Sequence, residues 1–264
     1  MVSRPIAMIL VAGLSPAFAF AQTGTALLDG SRTATNAPPQ TVERQPLTPE
    51  MSGDIFLARK MYREAIDAFR QGSPKDAVLR NKTGIAYHQL LQLDRARKEY
   101  ETAVKLKPGY EEAINNVGTI YYAEKSYRRA TSWFTRALKL APDDSKSAAV
   151  WVNLGSAWFS RKNYQRAAEA FQTAIRLDAD VFERHGNFGV MMQESNISER
   201  AKYHFYLAKM YAKTGRNELA LQYFRKAIEE GLHDRQKAAE APEFVSLRAT
   251  PEFQALMKLD ARVL

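Results

Sequence analysis

The sequence contains no cysteine, which removes disulfides, thiolate nucleophiles and cysteine-bound metal sites together. Histidine is scarce: His88, His185, His204 and His233 stand far apart in 264 residues, without the spacing of a metal-ligand set. His88 and His204 fall on helices, where we expect polar surface or rim positions. The HExxH pair of zinc hydrolases, a phosphate-cradling glycine loop and the G-x-S-x-G nucleophile turn are all missing. Two carboxylates do adjoin at Asp143 and Asp144, but a turn rich in Asp, Ser and Lys leaves both in solvent, and acid–base work needs unequal burial. No catalytic residue, metal or cofactor is therefore expected.

Long apolar runs are missing as well, except at the start. "MVSRPIAMILVAGLSPAFAFAQ" has a basic residue at Arg4, an apolar stretch from Ile6, and Ala19-Phe20-Ala21 before Gln22, the three-part form of a secretory signal. Gly13 and Pro16 break the stretch, which is short for a membrane span. The expectation is cleavage after Ala21 and a mature chain in the periplasm or outside the cell; the alternative is an uncleaved anchor. Residues 22–45 are polar and rich in Thr, Gly and Pro, and read as a disordered linker. Carboxylates are outnumbered, with 29 Asp and Glu against 38 Lys and Arg for a net charge of +9. Export makes nucleic acid the weaker partner for this charge. Acidic envelope polymers, anionic headgroups and acidic proteins remain, beside the plain alternative of charge for solubility.

What is present is repetition. Gly53, Gly84, Gly118, Gly155 and Ala208 head five segments that share the same columns. Three residues later stand Phe56, Tyr87, Tyr121, Trp158 and Tyr211; twelve later, Ala65, Ala96, Ala130, Ala167 and Ala220. Sixteen later stand Phe69, Tyr100, Phe134, Phe171 and Phe224; nineteen later, the small residues Gly72, Ala103, Ala137, Ala174 and Ala227. Gly84 and Gly118 are 34 residues apart, the period of one helix–turn–helix unit. Small residues at the crossing let two helices approach, and the aromatics fill the remaining space.

On these columns, best seen in "NKTGIAYHQLLQLDRARKEYETAVKLKP" and "INNVGTIYYAEKSYRRATSWFTRALKLAP", the chain resembles the tetratricopeptide repeat family. The resemblance implies an all-α, right-handed α-solenoid of stacked antiparallel helix pairs over residues 46–232. Its units lie near 46–76, 77–110, 111–144, 148–181 and 201–232. About sixteen to nineteen extra residues near 182–200 separate the fourth and fifth units. They serve either as a binding segment or as a spacer. Pro-Glu-Phe occurs at Pro242 and again at Pro251, each with a leucine three residues past the phenylalanine, and residues 233–264 read as a helical cap.

The resemblance also implies that the first helices line a concave groove. The residues two before the small column, Lys82, Asn116, Asn153 and Tyr206, and those three before, Asn81 and Asn115, would face it. An amide both donates and accepts, so such a row can hold an extended peptide backbone; the alternative is that these amides serve local turns or water. Since none sits at the helix crossing, replacing Asn116 and Asn153 is expected to leave stability unchanged. The family's basic clamp for C-terminal carboxylates is not matched. In the fifth unit, Lys202, Tyr206, Lys209 and Lys213 form one stripe at helical spacing, opposite Tyr203, Leu207 and Met210. The stripe suits an acidic or aromatic ligand, or is a solvated face. The functional expectation is an exported scaffold that binds a protein or peptide partner, an acidic one among the options, in cell-envelope assembly. The alternative is a structural envelope protein that binds acidic polymer or a membrane surface through the stripe.

Overall fold

The computed structural model describes residues 46–140, 145–184 and 197–258. The leader, the linker, Pro142, Asp143, Asp144, His185 and most of the segment between the fourth and fifth units lie outside them.

Among the described residues every regular element is helical. The first hairpin pairs α1 (Pro49–Ala58) with α2 (Tyr62–Arg70), and the second pairs α3 (Ala77–Gln89) with α4 (Leu93–Leu106). The next two are α5 (Glu111–Ala123) with α6 (Tyr127–Leu138), and α7 (Ala148–Ser160) with α8 (Tyr164–Leu177). After the short α9 (Val181–Arg184), α10 (Ile197–Lys213) and α11 (Asn217–Glu229) make the fifth. Each hairpin stacks on the next: α2 meets α3, α4 meets α5, α6 meets α7 and α8 meets α10. This is the expected all-α solenoid of antiparallel helix pairs. The 17-residue α10 is longer than the other first helices because residues 197–200 of the extra segment continue it backward.

The repeated columns explain the hairpins one by one. At the crossing, the ring sixteen residues on lies directly against the glycine in the first four hairpins. A methyl group at Gly118 would come within 2.5 Å of the Phe134 ring, and one at Gly84 within 2.6 Å of Tyr100. The alanine column at Ala65, Ala96, Ala130, Ala167 and Ala220 is fully buried in all five hairpins. Two apolar clusters result, with α7 shared between them: Val150, Leu154 and Ala157 pack toward the preceding repeats, and Val152 and Phe159 toward the following ones.

The turn inside each hairpin follows one rule that the columns did not announce. Seven residues past the small column, Lys60, Leu91, Lys125, Lys162 and Gly215 take φ values of 58° to 74°. The next residue returns its N–H to the carbonyl of the aromatic three past the small column, as from Gln92 to Tyr87 and from Ser126 to Tyr121. This is the left-handed helix end that glycine favours, yet only the fifth hairpin has glycine there.

At the far end, α12 (Arg235–Ala239), a 3-10 turn at Pro242–Phe244 and α13 (Pro251–Lys258) close the stack. Phe244, Leu247, Phe253 and Leu256 are buried, and the Phe253 ring stacks on Phe224 with centroids 5.4 Å apart. At the near end α1 leaves Met51 and Ile55 exposed, where an earlier repeat would pack.

Leu91 is half exposed and spends its side chain on little packing, while its left-handed backbone disfavours any Cβ. Leu91→Gly should therefore stabilise the protein by about 0.5–1 kcal/mol, the strain relieved exceeding the entropy glycine adds to the unfolded chain. Urea denaturation measures it; a lowered midpoint would show that the Leu91 side chain packs productively.

Candidate binding faces of the solenoid

The first helices α1, α3, α5, α7 and α10 carry the residues singled out for a groove. In the first four hairpins these residues bind one another. The residue two before the small column reaches the residue three before it in the preceding hairpin. Lys82 Nζ lies 2.7 Å from Glu50 Oε1 and 2.6 Å from Asp54 Oδ2. Asn116 Nδ2 donates to Asn81 Oδ1 at 3.0 Å, and Asn153 Nδ2 donates to Asn115 Oδ1 at 3.0 Å. Asn81 in turn donates to Glu112 Oε1 at 2.9 Å. Farther along the same helices, Tyr122 OH and Ser160 Oγ are 3.0 Å apart.

The sequence expectation for the asparagines is thus corrected. Asn81, Asn116 and Asn153 are buried, and the Asn116 and Asn153 donors are spent on a neighbouring repeat. Their place between helices, and not at the crossing within a hairpin, is what makes them structural. Asn115 stays half exposed. At Lys82 burial works to lower the pKa, but the carboxylates of Asp54 and Glu50 outweigh it and the net shift is upward.

The chain of bonds stops at the fifth hairpin: α10 runs parallel to α8, with Lys202 beside Tyr164 at one end and Arg216 beside Asp180 past the other, and position 152 on α7 is a valine. Aromatic contacts replace it. Tyr206 stacks on Tyr164 with centroids 5.4 Å apart, and the Phe159 ring meets Tyr203 and Tyr206 edge-on. Lys202 Nζ sits 3.9 Å from the centroid of Tyr164. Lys209 is not a free cation: it pairs with Glu243 of the C-terminal 3-10 turn at 3.2 Å. Lys213 donates to Gln172 Oε1 at 3.2 Å. The helical spacing does place these lysines on one side of α10, but one is neutralised by a turn too distant in sequence to be foreseen.

His88 is a second correction. It is 1% exposed, neither on a rim nor on the surface, and burial pushes its imidazole down to about 4. It packs edge-on against Tyr100, with no hydrogen-bond partner on either ring nitrogen among the described residues. His204 is half buried, with Nδ1 2.6 Å from Glu230 Oε2. Burial lowers its pKa and the Glu230 carboxylate works against that shift. Among the described residues no group of three His, Cys, Asp or Glu side chains could hold a metal ion, and no helix is long and apolar enough to cross a membrane.

One further recurrence escaped the column reading. Eleven residues past the small column, Arg95, Arg129 and Arg166 lie over the aromatic rings of Tyr87, Tyr121 and Trp158 at 5.7, 5.6 and 4.6 Å from the centroid. A second arginine approaches each ring: Arg70 at 5.7 Å, Arg97 at 5.9 Å and Arg161 at 4.2 Å. The signal was legible as an arginine column in three consecutive units, but only the fold shows what it covers.

The tetratricopeptide repeat profile matches residues 52–111, 81–145, 118–181 and 193–241. Among curated relatives, the chain is 33% identical over 99 residues to the tetratricopeptide repeat domain-containing protein PYG7, chloroplastic, of Arabidopsis thaliana, covering 35% of this chain and 33% of that one. It is 32% identical over 100 residues to the uncharacterized protein ycf37 of Guillardia theta, covering 35% of this chain and 56% of that one. It is 37% identical over 84 residues to the protein O-mannosyl-transferase TMTC1 of Mus musculus, covering 30% of this chain but 9% of the transferase. Each match spans well under two thirds of the relative. Among solved structures, a crystal structure of MamA is 19% identical with a TM-score of 0.47, covering 70% of this chain and 96% of that one. MamA 41-end from Desulfovibrio magneticus RS-1 is 21% identical with a TM-score of 0.46, covering 72% and 93%.

Two outcomes follow from this geometry. Asn116→Ala should cost about 1–3 kcal/mol in chemical denaturation, because the buried Asn81 carbonyl oxygen loses its donor. An unchanged midpoint would mean the amide bond contributes nothing to stacking. The second outcome concerns pH. The folded His88 pKa lies below the ordinary value of 6.5, so the unfolded chain takes up the proton first. The contribution of His88 to stability is complete above about pH 6.5 and is lost as pH falls toward 4. His88→Leu should flatten the stability–pH curve in that window; an identical slope in the variant would place the titrating group elsewhere.

Proposed function

The chain belongs to the tetratricopeptide repeat family, and from that premise we propose an exported scaffold that holds segments of partner proteins against its first helices. The observation that carries the reading is the bonding of α1, α3, α5 and α7 to one another through Lys82, Asn116 and Asn153. Such bonding fixes a continuous, preorganised surface over four hairpins, so a partner does not have to order it on binding. The groove then has a floor of buried amides, and contact falls to half-exposed residues such as Asn115, Lys202 and Tyr206, and to the exposed Lys213. Charge is uneven along it. Lys82 sits between two carboxylates, Glu50 and Asp54, whereas Lys202 and Lys213 have no carboxylate within ion-pair distance among the described residues. An acidic stretch of partner therefore suits the fifth hairpin. The N-terminal signal pattern supports export and a role in cell-envelope assembly.

Photo-crosslinking residues placed at Asn115 and Lys213 should capture a protein partner in intact cells, and one at the exposed Lys105 on α4 should not. Adducts from Lys105 alone would move the binding face to the second helices. N-terminal sequencing of the mature protein should begin at Gln22; an intact Met1 in the membrane fraction would contradict release from the membrane.

A further inference from the structure

The positive charge of the protein is concentrated on one edge of the stack. In each of the first four hairpins the turn, with the first residues of the second helix, forms a six-residue window: residues 59–64, 90–95, 124–129 and 161–166. Together these windows hold ten Lys and Arg and three Asp and Glu, a balance of +7 out of the chain's +9. The windows line up along one edge, with neighbouring hairpins about 10 Å apart: Arg97, just past the second window, reaches Glu124 in the third, and Arg161 in the fourth reaches Thr131 just past the third. The fifth turn lies at the other end of α8, where Arg216 pairs with Asp180.

Two of the three carboxylates, Asp94 and Glu124, are spent on Arg97, at 2.9 and 3.0 Å. No arginine within the four windows has a carboxylate partner among the described residues. Arg95 reaches the amide oxygen of Gln92, and Arg161 reaches Thr131 Oγ1 at 3.1 Å. Around Trp158 the crowding is greatest. Arg161 and Arg166 lie against the ring, and desolvation together with repulsion from Arg128 and Arg166 lowers the Arg161 pKa. Around Tyr87 the surface is concave: a cleft of about 630 Å³ is lined by Arg70, Arg80, Tyr87, Arg95, Lys98 and Glu99, and its one carboxylate already pairs with Arg80. Like charges held together without counter-charges are a standing cost that an anion would relieve.

We infer that this turn edge, from the Tyr87 cleft to the Trp158 cluster, is a docking ridge for an extended acidic peptide segment, with Arg95, Arg129 and Arg166 as its repeating anion contacts. The surface is distinct from the first-helix face, and the inference goes beyond the function proposed for that face. Guanidinium groups present paired donors to carboxylates, and stacking on an aromatic ring holds them in place for it. The same stacking argues against single-stranded nucleic acid, since the rings that would receive bases lie under arginine.

The test is anisotropy titration of a fluorescein-labelled decapeptide of alternating Asp and Glu against the full mature chain at low salt. The triple variant Arg95→Gln, Arg129→Gln, Arg166→Gln should bind at least tenfold more weakly with unchanged helicity. The corresponding Arg→Lys triple should recover part of the affinity. The triple variant Lys105→Gln, Lys139→Gln, Lys237→Gln, which removes as much charge at exposed positions outside the turn windows, should bind as wild type does. Equal binding by the arginine variant would overturn the inference. So would loss of binding in a Lys202→Gln, Lys213→Gln variant with the arginine variant unimpaired, which would place the acidic ligand on the fifth hairpin as the first-helix reading has it. Tighter binding of wild type to oligothymidine or to phosphatidylserine vesicles than to the peptide would also overturn it.

Discussion

The contact on which the structure depends is a ring lying on a glycine. In four hairpins the aromatic of the second helix presses on the backbone of the first at Gly53, Gly84, Gly118 or Gly155, so closely that a methyl group there would collide with it. That approach sets how near the two helices run, and the fully buried alanine column exists because they run so near. Only the fifth hairpin tolerates Ala208, with Phe224 still fully buried against it. A single hairpin buries one apolar face and exposes another, so stability comes from stacking, and α7 belongs to the core on both of its sides.

Stacking has its own polar fastening, and this shapes what the surface can do. Lys82 with Glu50, Asn116 with Asn81, and Asn153 with Asn115 join first helix to first helix. A buried amide that has found a partner rigidifies the row but no longer offers its donor to a ligand. The cations behave unlike the amides. On α10, Lys209 is held by Glu243, whereas along the turn edge arginines gather on aromatic rings with few carboxylates near them. The inner face therefore reads as a preorganised surface, and the turn edge as the more strongly charged one.

The hairpins were legible in the sequence because the crossing constrains residue size at fixed positions: no other residue fits at Gly118 under Phe134. The left-handed turn was not, because Lys60, Leu91, Lys125 and Lys162 share no chemistry; the backbone pays the strain and the side chain leaves no mark. The asparagine row was found but misread. Spacing places Asn116 on the inner side of its helix, but whether its amide faces a ligand or Asn81 depends on the residue 35 positions earlier in the chain, which only stacking brings near. His88 failed for a similar reason: a polar residue on a first helix reads as rim until a neighbouring repeat covers it.

The glycine–ring contact can be tested by a double-mutant cycle at one crossing. Gly118→Ala and Phe134→Leu should each lower stability in urea denaturation, the first by overpacking and the second by loss of a fully buried ring. Combined, they should cost clearly less than the sum, because the added methyl group enters space the ring has vacated; a coupling of about 1 kcal/mol or more is expected for residues in such contact. Strictly additive losses would contradict the account, since they would mean that Gly118 and Phe134 do not set the helix approach together.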